Sequence, residues 1–261
     1  MSLLEVDNVS VRFGGLTALS GFSFRLDPGE LVGLIGPNGA GKTTAFNVVT
    51  GVYAPSAGDV RLGGNSIAGR KPFRINRLGI ARTFQNIRLF GGLSVLDNVL
   101  VGAARNMHKT LAGAVLGTPG NLHAEREVRL TAMRLLQAFS LDHRARETAD
   151  GLPYGDQRRL EIARALATNP KILLLDEPAA GMNPQEKLQL MDLIRFVGKQ
   201  FGVGIWLIEH DMKLVMSICQ RITVLNYGQT IAVGTPKEVQ SNEKVIEAYL
   251  GEPAAAESCN Q

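Results

Sequence analysis

The sequence predicts an α/β fold: a largely parallel sheet covered by helices on both faces, with a mostly helical subdomain inserted. Three observations predict it. Apolar runs of four or five residues recur at 31–35, 172–175, 205–208 and 222–225, the pattern of strands buried on both faces. Helical spacing fills 42–50, 185–200 and 211–218, so strand and helix alternate as a parallel sheet requires. From 86 to 163 the strand-like runs give way to helix-like ones.

Residues 3–13 and 21–26 alternate apolar and polar side chains, as half-buried strands do. Asp27-Pro28-Gly29-Glu30 is a turn. The run 31–35 then feeds a glycine-rich loop, and a helix follows until Gly51. Residues 95–104 are helix-like, whereas 105–122 is irregular, with several Gly and one Pro. A further helix over 125–139 places Val128, Ala132, Leu135, Leu136 and Phe139 on one face. The helix 156–168 is rich in Arg. No internal repeat or low-complexity segment appears.

The 261 residues suffice for one large domain or two small ones, and 45% apolar with 20% charged residues is ordinary globular composition. A net charge of +4 decides nothing about partners. Cys219 falls on an apolar helical face with Met212, Val215 and Met216, which favours a core role, and Cys259 lies in a small, polar tail over 252–261. A reducing compartment follows. Glu5 and Asp7 interrupt any signal peptide. The longest uncharged stretches, 43–58 and 110–124, contain Gly and Pro and fall short of the ~18 apolar residues of a spanning helix. A soluble chain is expected, with any membrane role exercised through a partner.

Gly36-Pro37-Asn38-Gly39-Ala40-Gly41-Lys42-Thr43 sits between a strand and a helix. Its glycines let backbone N–H groups close around phosphate oxygens, and the helix start adds its positive end. Lys42 brings a full charge to the β and γ phosphates, Thr43 a hydroxyl for Mg²⁺, and Thr44 a contact on the α-phosphate side. Asp176 follows four apolar residues. A carboxylate there is costly unless paired or metal-bound, and Mg²⁺ held through water answers that need. Glu177 beside it is the candidate general base for an attacking water.

These residues resemble the ATP-binding cassette family, the motor subunits of ABC transporters, over residues 4–251. The resemblance implies a P-loop NTPase (RecA-like) core at 4–85 and 164–251. It adds an N-terminal antiparallel β part, a helical subdomain at 86–163 and a flexible tail at 252–261. Phe13 is similar to the aromatic that stacks on adenine, although a lone aromatic also has a core reading. Gln85, in Arg82-Thr83-Phe84-Gln85, is similar to the glutamine that touches Mg²⁺ and the attacking water. His210 resembles the switch histidine. Residues 152–157, with Tyr154, Gly155, Asp156 and Gln157, resemble the signature loop that reaches the γ-phosphate of ATP bound to a second subunit. Three departures stand out: Pro153 for a usual Ser, Tyr154 for a Gly, and Asn183 where many members carry Asp.

The stretches 79–85, 154–166, 178–184 and 208–212 narrow the resemblance to the Liv-type ATPase subunits of bacterial branched-chain amino-acid importers. The middle insertion and the ending at 245–251 agree with it. This implies ATP and Mg²⁺ as cofactors. It implies a second ABC ATPase subunit (a different chain or a copy of this one) and two transmembrane permease subunits. A periplasmic or extracellular binding protein acts indirectly, no nucleic acid is involved, and the place is peripheral on the cytoplasmic face of the inner membrane. The alternatives are the same motor serving urea, amides or lipopolysaccharide, and a soluble ABC ATPase outside transport.

Overall fold

The N-terminal alternation becomes a sheet in the computed structural model, which describes residues 2–104 and 119–250. Most of the expected irregular stretch 105–122 and the whole expected tail, Cys259 included, lie outside the described residues. The chain divides into two units: Met1–Lys71 with Trp206–Gln261, and Pro72–Ile205.

In the first unit β1 (Leu4–Phe13) pairs antiparallel with β2 (Leu16–Leu26), through Leu4 opposite Leu26 and Val6 opposite Phe24. β2 starts five residues before the expected 21. Gly21, at φ 62°, sits among register shifts and lets the strand run on through it, its N–H donating to Ser10 Oγ at 3.0 Å. β3 (Leu31–Ile35) is buried throughout, as its sequence predicts. Helix α1 (Lys42–Val49) follows the glycine-rich loop. The sequence showed no sign of β4 (Ala57–Leu62) and β5 (Asn65–Ser66), which complete an antiparallel sheet in the order β2-β1-β4-β5.

The second unit opens with α2 (Pro72–Leu78) and β6 (Ile80–Arg82), both too short to stand out in the sequence. Helix α3 (Val95–Ala104) matches its expected span. Helix α4 (Pro119–Ala138) starts earlier than the expected 125, with Pro119 at its first position, where a missing N–H costs nothing. Helix α5 (Tyr154–Leu166) likewise starts before the expected 156. β7 (Ile172–Asp176) is buried along its whole length and runs parallel to β6. Asn183 caps α6 (Pro184–Phe201) in a capping box with Glu186, and Gly202 ends it at φ 62°.

β8 (Gly204–Ile208) spans the point of division. Beyond it, Asp211 accepts from Leu214 N–H at 3.2 Å and starts α7 (Met212–Ile218). β9 (Arg221–Asn226) runs parallel to β3 and pairs antiparallel with β10 (Gln229–Gly234). No residue of β10 is buried, and its apolar run, Ile231 to Val233, is only three residues long. Two short helices, α8 (Pro236–Gln240) and α9 (Glu243–Leu250), follow.

An aromatic cluster centres the first unit. Trp206 is fully buried, stacks on Phe24 with centroids 4.0 Å apart, and tilts against Phe46 at 4.8 Å. Cys219 is buried, as the apolar helical face predicts, and burial pushes its thiol far above the ordinary value. Removing the indole deletes a large buried surface that the stacked rings cannot refill. Trp206→Ala is expected to lower the unfolding free energy by about 3–5 kcal/mol. Urea titration followed by circular dichroism measures it, and a shift no larger than that of an exposed-site substitution would show that the cluster does not centre the core.

Candidate functional site

In the first unit, the backbone shapes the phosphate cradle. Gly36 adopts φ 149°, and a Cβ there would lie 2.0 Å from the carbonyl oxygen of Leu225. Gly41, at φ 102°, faces Ala18 O at 2.7 Å from where its Cβ would be. Side chains are excluded at both positions by neighbouring main chain. Gly41 offers no side-chain cap to α1, and the first turn of that helix holds no acid. The leading N–H groups and the positive end of the helix therefore face no built-in anion. Lys42 is buried, and its Nζ donates to Gly36 O at 2.6 Å and Pro37 O at 2.8 Å. Its charge is thus folded onto the loop that an incoming phosphate would occupy. Thr43 is exposed and Thr44 half-buried, while Pro37 and Ala40 are buried and Asn38 and Gly39 are exposed.

Phe13 ends β1 and is 44% exposed, with Tyr53 edge-on to it at 5.0 Å. Its core reading is therefore set aside, and Tyr53, which the sequence did not single out, joins it in an exposed aromatic corner. His210 is exposed just after β8. Its N–H donates at 3.2 Å to Oε2 of Glu209, a buried carboxylate that also lies 3.9 Å from Nδ1.

In the second unit, β7 delivers Asp176 to its buried end, where Oδ2 meets the Arg82 guanidinium at 2.6 Å. Both side chains are 8% exposed. Arg82 comes from β6 and also lies over the Phe84 ring, 5.0 Å from its centroid. β6 is too short to be predicted from the sequence, so this partner of Asp176 was not legible there. Glu177 follows in the left-handed region, at φ 44°. Such a conformation is rare for a residue with a Cβ and concentrates at functional positions. Its Oε2 accepts from Gln85 Nε2 at 2.7 Å, so two predicted site residues meet although 92 positions separate them.

The loop at 152–157 uses its side chains internally. Gln157 Nε2 donates to Leu152 O at 2.8 Å, and Asp156 lies 3.7 Å from both Arg144 and Arg159. Tyr154 OH donates to Ala180 O at 2.8 Å. Pro153 stands at the N-cap of α5 with no side-chain bond. What the loop has left for a ligand is the row of N–H groups at the helix start, around Gly155.

Mg²⁺ takes hard oxygen donors and few protein ligands, keeping waters and phosphate oxygens for the rest. The Thr43 hydroxyl, the Gln85 amide oxygen and the Asp176 carboxylate are donors of that kind. Among the described residues no group of three or more His, Cys, Asp or Glu could hold a metal alone. Thr43 belongs to the first unit and Gln85 and Asp176 to the second, and each offers a hard oxygen of the kind that a cation bound to a polyphosphate takes.

A family model described as "ABC transporter" matches residues 19–180, and one described as "Branched-chain amino acid ATP-binding cassette transporter" matches 229–255. The chain is 46% identical over 250 residues to the high-affinity branched-chain amino acid transport ATP-binding proteins BraF of Pseudomonas aeruginosa and LivG of Escherichia coli. Each match covers 96% of this chain and 98% of the relative. It is 35% identical to the lipopolysaccharide export system ATP-binding protein LptB of Escherichia coli, covering 97% and 98%. Among solved structures, the ADP conformation of MJ1267, an ATP-binding cassette of an ABC transporter, superposes with TM-score 0.83 at 30% identity. That match covers 97% of this chain and all of the other.

Two substitutions test the geometry. Gly36→Ala puts a methyl against the Leu225 carbonyl, so the nucleotide-dependent rise in melting temperature should vanish. Retention of that rise would show that the loop tolerates a side chain. Arg82→Met strands a buried carboxylate and should cost about 3–5 kcal/mol of stability by chemical denaturation.

Proposed function

The chain belongs to the ABC transporter family, and from that premise we propose that it is the motor subunit of an importer for branched-chain amino acids. As a member it binds nucleotide and hydrolyses ATP. The observation that supports the chemistry is the Gln85–Glu177 hydrogen bond beside Asp176 at the end of β7. The observation that supports the cargo is the match of 229–255 to the branched-chain amino-acid family model, together with the 46% identity to BraF and LivG.

The residue roles follow from the chemistry of the groups. Lys42 and the loop Gly36, Pro37, Asn38, Gly39, Ala40 and Gly41 bind the phosphates, the N–H groups coming from the residues other than Pro37, with Thr44 on the α side. Phe13 stacks on adenine, and Tyr53 broadens that surface. Thr43, Gln85 and Asp176 hold Mg²⁺, which when bound neutralises charge on the β and γ phosphates. Glu177 takes the proton of the attacking water, and Gln85 orients that carboxylate. His210 contacts the γ-phosphate side. Tyr154, Gly155, Asp156 and Gln157 present the start of α5 to the nucleotide of a second ATPase subunit, a different chain or a second copy. Neither protomer then completes a site alone, ATP holds the pair shut, and hydrolysis releases it.

The helical subdomain, residues 86–163, passes that motion to two transmembrane permease subunits, which an external binding protein supplies. No helix among the described residues is long and apolar enough to cross a membrane. A peripheral place on the cytoplasmic face, held by the permease, is the location that suits such a subunit. The 35% identity to LptB supports a second cargo, lipopolysaccharide, for the same motor.

Lys42→Ala should abolish the nucleotide-dependent thermal shift. Glu177→Gln should keep that shift, lower ATP turnover by about 100-fold or more, and accumulate an ATP-bound dimer on size-exclusion chromatography. Loss of nucleotide binding in Glu177→Gln would reassign the residue. Reconstitution with candidate permeases should show leucine, isoleucine or valine stimulating turnover, and stimulation by lipopolysaccharide or urea alone would transfer the motor to that cargo.

A further inference from the structure

Residues 83–94, between β6 and α3, form no helix or strand, yet they carry Gln85. A segment without ladder partners must satisfy its buried backbone groups by other means. Here a buried ion pair does so. Arg158, on α5, has no exposed surface, and Glu161 one turn later is 2% exposed. Arg158 NH1 donates to Phe84 O at 2.7 Å and to Glu161 Oε2 at 2.8 Å, and NH2 donates to Gln85 O at 2.7 Å. Glu161 Oε1 accepts from Arg88 N–H at 3.1 Å and from Phe84 N–H at 3.5 Å. The pair therefore holds the backbone on both sides of the catalytic glutamine, by donors and acceptors alike.

The same guanidinium reaches further. Arg158 NH2 donates to Tyr154 OH at 3.3 Å, and that hydroxyl donates in turn to Ala180 O, three residues after Glu177. The Tyr154 ring lies beside Gly181, where a Cβ would meet it at 3.8 Å. One buried cation thus joins the segment carrying Gln85, the start of the signature helix and the loop that follows the catalytic carboxylate. Those are the three parts of this unit that must hold register for Gln85 Nε2 to meet Glu177.

We propose that Arg158 is a positioning residue for hydrolysis, which with Glu161 and Tyr154 locks the Gln85 backbone and the 178–183 loop to the start of α5. It touches neither nucleotide nor water and acts through Gln85 and Glu177, so it rests on the roles given above to those two residues. A stability role alone predicts that any folded replacement restores turnover. A positioning role predicts that it does not.

Arg158→Met combined with Glu161→Leu removes both charges, and replacing a buried ion pair by apolar groups is often neutral for folding. The melting temperature should hold, KM for ATP should stay within about twofold, and kcat should fall about tenfold, because small misplacements near reacting atoms have large rate effects. Tyr154→Phe, which deletes one hydroxyl, is the milder variant and serves if the double replacement does not fold. Its kcat should fall about threefold with unchanged nucleotide-dependent thermal shift, and the loss should disappear in a Gln85→Ala background, as for two residues acting in one chain of contacts. Full kcat in a folded variant, a defect confined to KM, or a Tyr154→Phe loss that persists undiminished without Gln85 would overturn the proposal. Glu177→Gln run in parallel separates the two levels. Turnover surviving there removes the catalytic assignment itself, whereas its loss beside an unaffected Arg158 variant removes only the positioning role.

Discussion

Charge taken out of water needs a partner within reach, and that requirement organises the unit formed by Pro72–Ile205. Asp176 ends a strand whose residues are all buried, and its carboxylate oxygen lies 2.6 Å from the Arg82 guanidinium. Arg158 is buried against Glu161 and also donates to the carbonyls of Phe84 and Gln85, which no ladder serves. Hydrophobic packing builds β7 and α5, but these two pairs decide where their polar ends lie. Without the first, Asp176 would sit uncompensated before any cation arrived. Without the second, the irregular segment around Gln85 would lose the partners of its main chain.

The unit formed by Met1–Lys71 and Trp206–Gln261 solves a different problem with different means. Its glycine-rich loop offers main chain as well as the side chains of Lys42 and Thr43. A loop that binds through N–H groups has to keep them unpaired, and that is tolerable only if the loop is held from outside. Leu225 O and Ala18 O press so closely on Gly36 and Gly41 that no Cβ fits, and Gly228 N–H donates to Ala40 O at 3.0 Å. The rigidity of the cradle thus comes in part from neighbouring main chain and in part from its own Ala40 N–H, which donates to Pro37 O at 3.2 Å. Lys42 Nζ meanwhile donates to the carbonyls of Gly36 and Pro37, which ties the side chain to the same loop.

The sequence made legible those features whose signal is local. Fully buried strands such as Leu31–Ile35 and Ile172–Asp176 are apolar runs, and the cradle is a motif of fixed spacing. Helix Val95–Ala104 followed from its periodicity. Strands with mixed exposure escaped, because Ala57–Leu62 and Gln229–Gly234 carry too few buried residues to form a run. Pairings between distant residues were also out of reach. Gln85 and Glu177 could each be named, but their hydrogen bond depends on β6 lying beside β7, and β6 is only three residues long. Nothing in the sequence separates Arg82 and Arg158 from the other arginines, whereas burial in the structure does.

The departures from the common signature find a physical account in the same contacts. Proline at 153 lacks a hydroxyl for capping, yet its backbone (φ −55°, ψ 150°) is already that of an N-cap, so α5 still begins at Tyr154 with its N–H groups turned outward. Tyrosine at 154 adds bulk where a glycine is usual, and the structure uses that bulk as a tether: ring against Gly181, hydroxyl to Ala180 O. Asparagine at 183 lacks the charge of aspartate, but the two cap helices about equally well, and Asn183 Oδ1 accepts from Glu186 N–H at 3.0 Å. Each departure therefore keeps the backbone geometry and changes only the side chain that secures it. In this chain the loop after Glu177 is fixed from within the protomer, by Tyr154 on one side and the start of α6 on the other. In the proposed pairing of two ATPase subunits, docking free energy need not be spent on ordering that loop.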